Sequence, residues 1–85
     1  MNDEVDVIGA WLTDRIAVYL DLDVAEIVPT EPLAAFGLDS VYTAAITGEI
    51  EERYGLEIEP SVMWEHPTIR DLAVYVHGCL NGAQL

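Results

Sequence analysis

The sequence predicts an all-α four-helix bundle with three longer helices, one short helix and a long loop between the first and second helices. Apolar residues recur at intervals of three and four, the spacing of helices that bury one face. The alternating stretch at residues 56–59 is too short to predict a strand. With 85 residues, 52% of them hydrophobic, the chain can form one core, so we expect a single domain over residues 1–85.

The first helix is predicted by a stripe of apolar residues near the start of the chain. The stripe consists of Val5, Ile8, Leu12, Ile16 and Leu20. Trp11 and Tyr19 flank this stripe and are expected to widen it.

A long loop is predicted from Asp21 to Asp39, because Pro29 and Pro32 prevent a continuous helix there. One short turn is expected at residues 24–28. Six apolar side chains of the loop need cover, so we expect the loop to pack across the core. These are Leu22, Val24, Ile27, Val28, Leu33 and Phe36.

The second helix is expected to begin at Asp39-Ser40, where both residues are good N-caps, and to end at Tyr54-Gly55. Its buried residues are predicted to be Ile46, Ile50 and Tyr54, with Thr43 on the same side.

A short helical turn is predicted at residues 61–65 and is ended by Pro67. The last helix follows Thr68, which with Asp71 resembles a capping box. Asn81-Gly82 is expected to end it. Its predicted buried stripe consists of Ile69, Leu72, Ala73, Val76 and Leu80.

The charge of the chain narrows the classes of partner. Its 16 acidic residues and 3 arginines give a formal net charge of −13. Nucleic acids and anionic membranes are bound through Lys and Arg, so we expect neither as a partner, whereas basic protein surfaces are favoured. The acidic N-terminus lacks the basic region of a signal peptide, and no apolar run is long enough to span a membrane. We therefore expect a cytoplasmic monomer.

No group of residues in the sequence predicts an enzyme or a metal site. Cys79 is the only cysteine, which excludes an intramolecular disulfide and a cysteine-ligated zinc. The segment after Asp21 lacks the glycine and the final glutamate of a calcium-binding loop, and no His-x-x-x-His pair is present. There is also no glycine-rich phosphate loop.

The strongest functional candidate is the segment Phe36-Gly37-Leu38-Asp39-Ser40-Val41. It places a serine hydroxyl in the first turn of the second helix, after a bend that glycine permits. Amide groups at a helix start are unpaired and carry partial positive charge, so a phosphate ester on Ser40 would be stabilised there. The alternative is that Ser40 is only an N-cap.

The motif Gly37-Leu38-Asp39-Ser40 resembles the attachment motif of acyl carrier proteins. The resemblance extends over roughly residues 5–80. The segment Ile50-Glu51-Glu52-Arg53-Tyr54-Gly55 is similar to the end of that family's second helix, and Trp64-Glu65-His66-Pro67-Thr68-Ile69 to the start of its last helix. The Trp-x-x-Pro-Thr phrase looks most like carriers of polyketide synthases. Peptidyl carriers more often have a double glycine before the serine.

The resemblance implies that a phosphopantetheinyl transferase, with Mg²⁺ and coenzyme A, attaches 4′-phosphopantetheine to Ser40, within a motif that includes Gly37, Leu38 and Asp39. The thiol of the arm would carry an acyl group as a thioester. The implied partners are an acyltransferase or ligase that loads the thiol, a ketosynthase, and other enzymes of polyketide or fatty-acid type, with polyketide assembly favoured. In that family the groove between the second and third helices can shelter the acyl chain. The candidates for its lining are Leu38, Ile58, Val62 and Trp64, with ordinary core residues as the alternative.

The outward face of the second helix departs from the family pattern. Many members carry an acidic residue at the position of Ala45, whereas this face is small and apolar around Gly48. We expect partners to approach it closely, guided by flanking glutamates. The predicted docking residues are Val41, Tyr42, Ala44, Ala45, Gly48, Glu49, Glu51 and Glu52.

Two alternatives stay open at this point. The chain could be an acidic helical interaction module that has the carrier fold without the modification, and uptake of phosphopantetheine by Ser40 distinguishes the two. Because it starts at Met1 and ends soon after the last helix, we expect a free-standing carrier, with a domain excised from a megasynthase as the alternative.

Overall fold

A computed structural model describes residues 3–37, 39–59 and 61–82 of the chain. Within these ranges it contains no strand, and its four α-helices confirm the predicted fold class. The helices are α1 (Asp3–Leu20), α2 (Ser40–Tyr54), α3 (Val62–Glu65) and α4 (Ile69–Leu80). Two 3₁₀ turns, Val24–Glu26 and Leu33–Phe36, lie in the loop between α1 and α2.

The core is built from apolar side chains of all four helices, and α1 and α4 make the most extensive contact. Glu4 Oε2 lies 2.9 Å from His77 Nε2, which joins the start of α1 to the end of α4. The two helices are therefore antiparallel. The fully buried side chains are Leu12, Ile16, Ile46, Ile50, Ile69, Leu72 and Val76.

Long side chains connect α1 to α2 along its length. From one end to the other the contacts are Trp11 with Tyr54, Arg15 with Glu49, and Tyr19 with Tyr42. This order makes α1 and α2 antiparallel as well. Ser40 consequently lies at the same end of the bundle as Leu20, while the start of α1 and the end of α4 meet at the opposite end.

The predicted helix boundaries are confirmed where the sequence supplies caps. The Asp39 carboxylate caps α2, and Gly55 ends it with a left-handed φ of 66°. The Thr68 hydroxyl accepts a hydrogen bond of 3.0 Å from the Asp71 amide at the start of α4. Asn81 caps the other end of α4.

The long loop follows the prediction only in part. Its first 3₁₀ turn falls within the predicted residues 24–28, but the second, Leu33–Phe36, was not predicted. Two backbone hydrogen bonds fix the loop to the start of α4: Leu33 N–H donates to Pro67 O over 2.8 Å, and Arg70 N–H donates to Pro29 O over 3.1 Å.

Three apolar residues that were predicted to be covered are exposed. Leu80 lies one turn beyond His77, which already contacts Glu4 near the start of α1, so little of α1 is left to cover it. Val24 and Val28 are also exposed, because the short turn directs Ile27 into the core instead. The predictions for these three side chains were wrong.

Glycines 48 and 55 are expected to respond oppositely to alanine. Gly48 is exposed inside α2, and a Cβ there would meet no atom within 4 Å, so Gly48→Ala should stabilise the protein by about 1 kcal/mol. Gly55 has a positive φ, so Gly55→Ala should destabilise it by about 1 kcal/mol. Urea unfolding of both variants measures the change in the free energy of unfolding. A change in the same direction for both variants would contradict this account.

The ion pair between α1 and α2 should make stability depend on pH. Burial raises the pKa of Glu49, but hydrogen bonds from Tyr19 and Arg15 and the Arg15 charge outweigh it, so the pKa is lowered overall. The pair's contribution is therefore present above the unfolded-state pKa and is lost as pH falls through the lower native value. Because the pair is partly solvated, Glu49→Gln should lower Tm by only a few degrees at pH 7. In strong acid Glu49 is protonated and the pair is already lost, so the substitution should leave Tm unchanged.

Thermal unfolding at a series of pH values tests this, with Glu52→Gln as the control. Glu52 lies on the same helix, is exposed, and has no ion pair among the described residues. The idea fails if both variants show the same dependence on pH.

None of the helices in the described ranges is long and apolar enough to cross a membrane.

Candidate functional site

The Ser40 hydroxyl is exposed at the first position of α2 and is not the cap of that helix. Asp39 takes this role, because its Oδ1 accepts hydrogen bonds of 3.0 Å from the amides of Val41 and Tyr42. Among the described residues, nothing hydrogen-bonds to the Ser40 side chain. The alternative in which Ser40 serves only as an N-cap is therefore excluded, and its hydroxyl is free to react.

Gly37 supplies the bend before the serine. It ends the second 3₁₀ turn with a φ of 84°, in the left-handed region that favours glycine, and its amide donates to Ala34 O over 3.1 Å. Leu38, the next residue of the motif, lies outside the described residues.

The start of α2 offers fewer free amide groups to a phosphate than the sequence suggested. The amides of Val41 and Tyr42 are not unpaired, because the Asp39 carboxylate already accepts from both. Asp39 also adds a negative charge beside the serine. A phosphate ester on Ser40 would therefore gain little stabilisation from these two amides.

A cavity of about 330 Å³ begins at Ser40 and extends along α2. One wall is the side of α2 on which residues recur at intervals of three and four from the serine, and the other comes from the segments around α3. The lining residues are Ser40, Thr43, Ala44, Thr47, Gly48, Glu51, Ile58 and Trp64. The cavity therefore offers room for an arm attached to Ser40.

Of the residues predicted to line an acyl groove, some line this cavity and others do not. Ile58 and Trp64 line the cavity, whereas Val62 is buried in the core and does not. Thr43, predicted on the buried side, is partly exposed and lines the cavity with Thr47. The positions three, four, seven and eight residues after Ser40 share one side of a helix, and this spacing could have identified the α2 wall.

The predicted docking residues lie on three sides of α2. Ala44, Gly48 and Glu51 line the cavity. Tyr42 and Glu49 face α1, where they contact Tyr19 and Arg15. Val41 is 72% exposed on the outward side, Glu52 is also exposed, and Ala45 is partly buried.

Two of the three flanking glutamates have partners within the chain. Arg15 Nε lies 2.7 Å from Glu49 Oε1, and the Ile58 amide donates to Glu51 Oε2 over 2.9 Å. Glu52 is exposed and has no such bond among the described residues. Of the three, Glu52 is therefore the one whose charge is fully available to a partner.

The cavity residues do not include a base that could activate Ser40. Glu51, the only ionisable side chain of the lining, follows the serine by eleven residues, or about 16 Å along the helix. Within the described ranges, no three His, Cys, Asp or Glu side chains could hold a metal ion.

Residues 10–76 match the family model described as "Phosphopantetheine attachment site". The chain is 31% identical over 70 residues, 82% of its length, to the 5-methyl-1-naphthoate synthase of Streptomyces sahachiroi. It is 35% identical over 66 residues, 78% of its length, to a phenolphthiocerol/phthiocerol polyketide synthase protein of Mycobacterium tuberculosis H37Rv. The chain spans only 4% of the length of each of these relatives.

Solved structures of carrier proteins share the fold. A free-standing peptidyl carrier protein from Acinetobacter baumannii superposes with a TM-score of 0.88 at 29% identity, covering 93% of this chain and 99% of that one. A type-II acyl carrier protein from Streptomyces verticillus involved in bleomycin biosynthesis gives a TM-score of 0.81 at 26% identity, covering 89% of each chain. The fold is therefore common to acyl and peptidyl carriers.

Proposed function

The chain belongs to the family of phosphopantetheine attachment domains, and on that basis we propose that it carries acyl or polyketide intermediates as thioesters on a 4′-phosphopantetheine arm at Ser40. The observation that carries this proposal is the free, exposed serine hydroxyl beside a cavity, with Asp39 taking over the capping of α2. The whole of residues 1–85 acts as one carrier domain.

Loading requires a second protein. The Ser40 oxygen forms an ester bond to the phosphorus that bears the pantetheine in coenzyme A, and the adenosine bisphosphate leaves. Among the described residues that line the cavity no base lies beside Ser40, so the phosphopantetheinyl transferase must accept the hydroxyl proton. When attached, the arm supplies a thiol for acyl transfer, and tethering raises the local concentration of the acyl group at partner enzymes.

The partners are inferred from the curated relatives described above, one of which is named as a polyketide synthase. We place the protein in polyketide assembly, working with an acyltransferase or ligase that loads the thiol and with a ketosynthase. We propose that it acts as a cytoplasmic monomer, because a net charge of −13 opposes association between copies of the chain.

Intact mass measurement tests the proposal. The protein is incubated with coenzyme A, Mg²⁺ and a promiscuous phosphopantetheinyl transferase, and a gain of one phosphopantetheine is expected. The chain has no lysine, so trypsin cuts after its three arginines, and the peptide 16–53 contains Ser40 as its only serine. The added mass should lie on this peptide. No gain in a folded sample would favour an unmodified interaction module.

The docking surface is proposed to lie on the outward side of α2 next to Ser40. Val41 is the main apolar side chain there, exposed to 72% and one residue from the serine. Partners with a basic surface would contact Val41 and also Glu52, which lies about 16 Å further along α2, while Glu49 and Glu51 mainly stabilise the carrier itself.

Val41→Arg should lower kcat/KM of the transferase for this carrier about tenfold, which corresponds to the loss of one important interface residue. Val74→Arg is the matched control, because Val74 is also exposed but lies on α4. Steady-state loading kinetics provide the measurement. If the two variants load equally fast, Val41 is not part of the docking surface.

A further inference from the structure

Trp64 is exposed in a way that the fold does not require. Its neighbours Val62 and Met63 are buried in the core, but the indole is 72% exposed. Trp64 and Thr43 line both the main cavity and a smaller cleft of about 60 Å³, so the ring stands between two hollows. Covering a large apolar side chain is favourable by about 2 kcal/mol, and this ring has not gained that stabilisation.

The α2 wall of the same cavity lacks large side chains. Ala44 and Gly48 form its middle part, and a Cβ on Gly48 would have no atom within 4 Å. Glycine inside a helix costs about 1 kcal/mol relative to alanine, so the open wall is kept at a cost in stability. The Thr47 hydroxyl donates to Thr43 O over 2.8 Å, which leaves its methyl group to contact an apolar ligand.

We propose that the space between the Trp64 indole and the Ala44–Gly48 wall is a slot that selects planar aromatic acyl groups over saturated ring systems of the same carbon number. Gly48 lies about 12 Å along α2 from Ser40, within reach of a phosphopantetheine arm laid in the cavity. An aromatic ring prefers an offset or edge contact with another ring, which a puckered ring cannot make as closely. This inference rests on the proposed function, because the acyl group arrives on the Ser40 arm.

The test compares two acyl groups on the same carrier. A promiscuous transferase loads 1-naphthoyl- or decahydro-1-naphthoyl-phosphopantetheine from the corresponding acyl-coenzyme A, and intact mass verifies loading. Hydroxylamine then attacks each thioester to give a hydroxamate and the free thiol. The cleavage rate on the carrier is divided by the rate for the same thioester on coenzyme A, which removes the intrinsic difference in reactivity between the two groups.

The naphthoyl group should be protected about fivefold more than its saturated counterpart, the effect of one aromatic contact. Gly48→Val and Trp64→Leu should remove this difference. Trp64→Phe, which keeps a flat ring, should retain most of it. Ala10→Val, which adds the same kind of bulk at an exposed position of α1, should retain all of it.

Equal protection of the two acyl groups would overturn the slot, as would a difference that survives both Gly48→Val and Trp64→Leu. In either case the carrier still gains the mass of the arm, so the proposed function stands. Failure to gain any mass would overturn the proposed function, and the slot with it. Circular dichroism of each variant establishes that it is folded before the rates are compared.

Discussion

The Ser40→Ala variant is expected to take up no phosphopantetheine under conditions in which the parent protein is fully loaded. The serine oxygen becomes the ester oxygen, and alanine has no atom in its place. The substitution should not unfold the protein, because Asp39 caps α2 and alanine is the best helix former. We expect its stability to equal or exceed that of the parent by up to about 0.5 kcal/mol.

Ser61→Ala is the matched control, since the chain has only these two serines. Ser61 is also exposed, precedes the short helix α3, and makes no capping hydrogen bond through its side chain. This variant should load as the parent does. Intact mass after the same incubation measures both. A phosphopantetheine found on Ser40→Ala, or its absence from Ser61→Ala, would contradict the assignment of the attachment site.

Leu72→Ala is expected to destabilise the fold severely. Leu72 is fully buried in α4, where it belongs to the core shared with α1. Removing such a side chain costs about 3 kcal/mol, a large part of the roughly 4–13 kcal/mol that a domain of this size has in total. Tm should fall by about 12–24 °C.

Val74→Ala controls for the change in helix composition, because Val74 lies two residues away on the exposed side of α4. It should change the free energy of unfolding by less than about 0.5 kcal/mol. Thermal and urea unfolding of both variants give the comparison. A Leu72→Ala protein that melts within a few degrees of the parent would mean that the core is not packed as described.

Helix boundaries were predictable wherever a residue has a strong local preference. Asp39 and Thr68 satisfy free amides at helix starts, and Gly55 adopts a left-handed conformation at little cost, so these positions act without help from distant contacts. The second 3₁₀ turn also has such signals, with Pro32 before it and Gly37 after it. Proline before a helical turn and glycine after it is the expected order, and it could have been used.

Burial was less predictable, because it depends on where other elements end. Leu80 continues the apolar repeat of α4, but the repeat carries no information about where α1 begins. Val24 and Val28 look as apolar as Ile27, and only the geometry of the short turn decides which of them enters the core.

The sequence motif was enough to locate the site. The hydrogen bonds and ion pairs around the site could not be predicted from the sequence. The sequence identified Ser40, but Asp39 and Ser40 are both good caps, and only the hydrogen bonds establish which of them has the role. The flanking glutamates look equivalent in the sequence. The fold then pairs Glu49 with Arg15 and Glu51 with the Ile58 amide, which are 34 and seven residues away along the chain.

The antiparallel arrangement of the helices gives the bundle two different ends. Ser40 lies at one end, and the start of α1 and the end of α4 lie at the other. An attachment made near Asp3 or Leu80 would therefore act as a pivot, and the 18 residues of α1 as a lever of about 27 Å. Tilting this lever by about 30° would move Ser40 through roughly 14 Å. A rotation of this size at the attached end would thus move Ser40 from the active-site entrance of one partner enzyme to that of another. The fold of the carrier itself would not change.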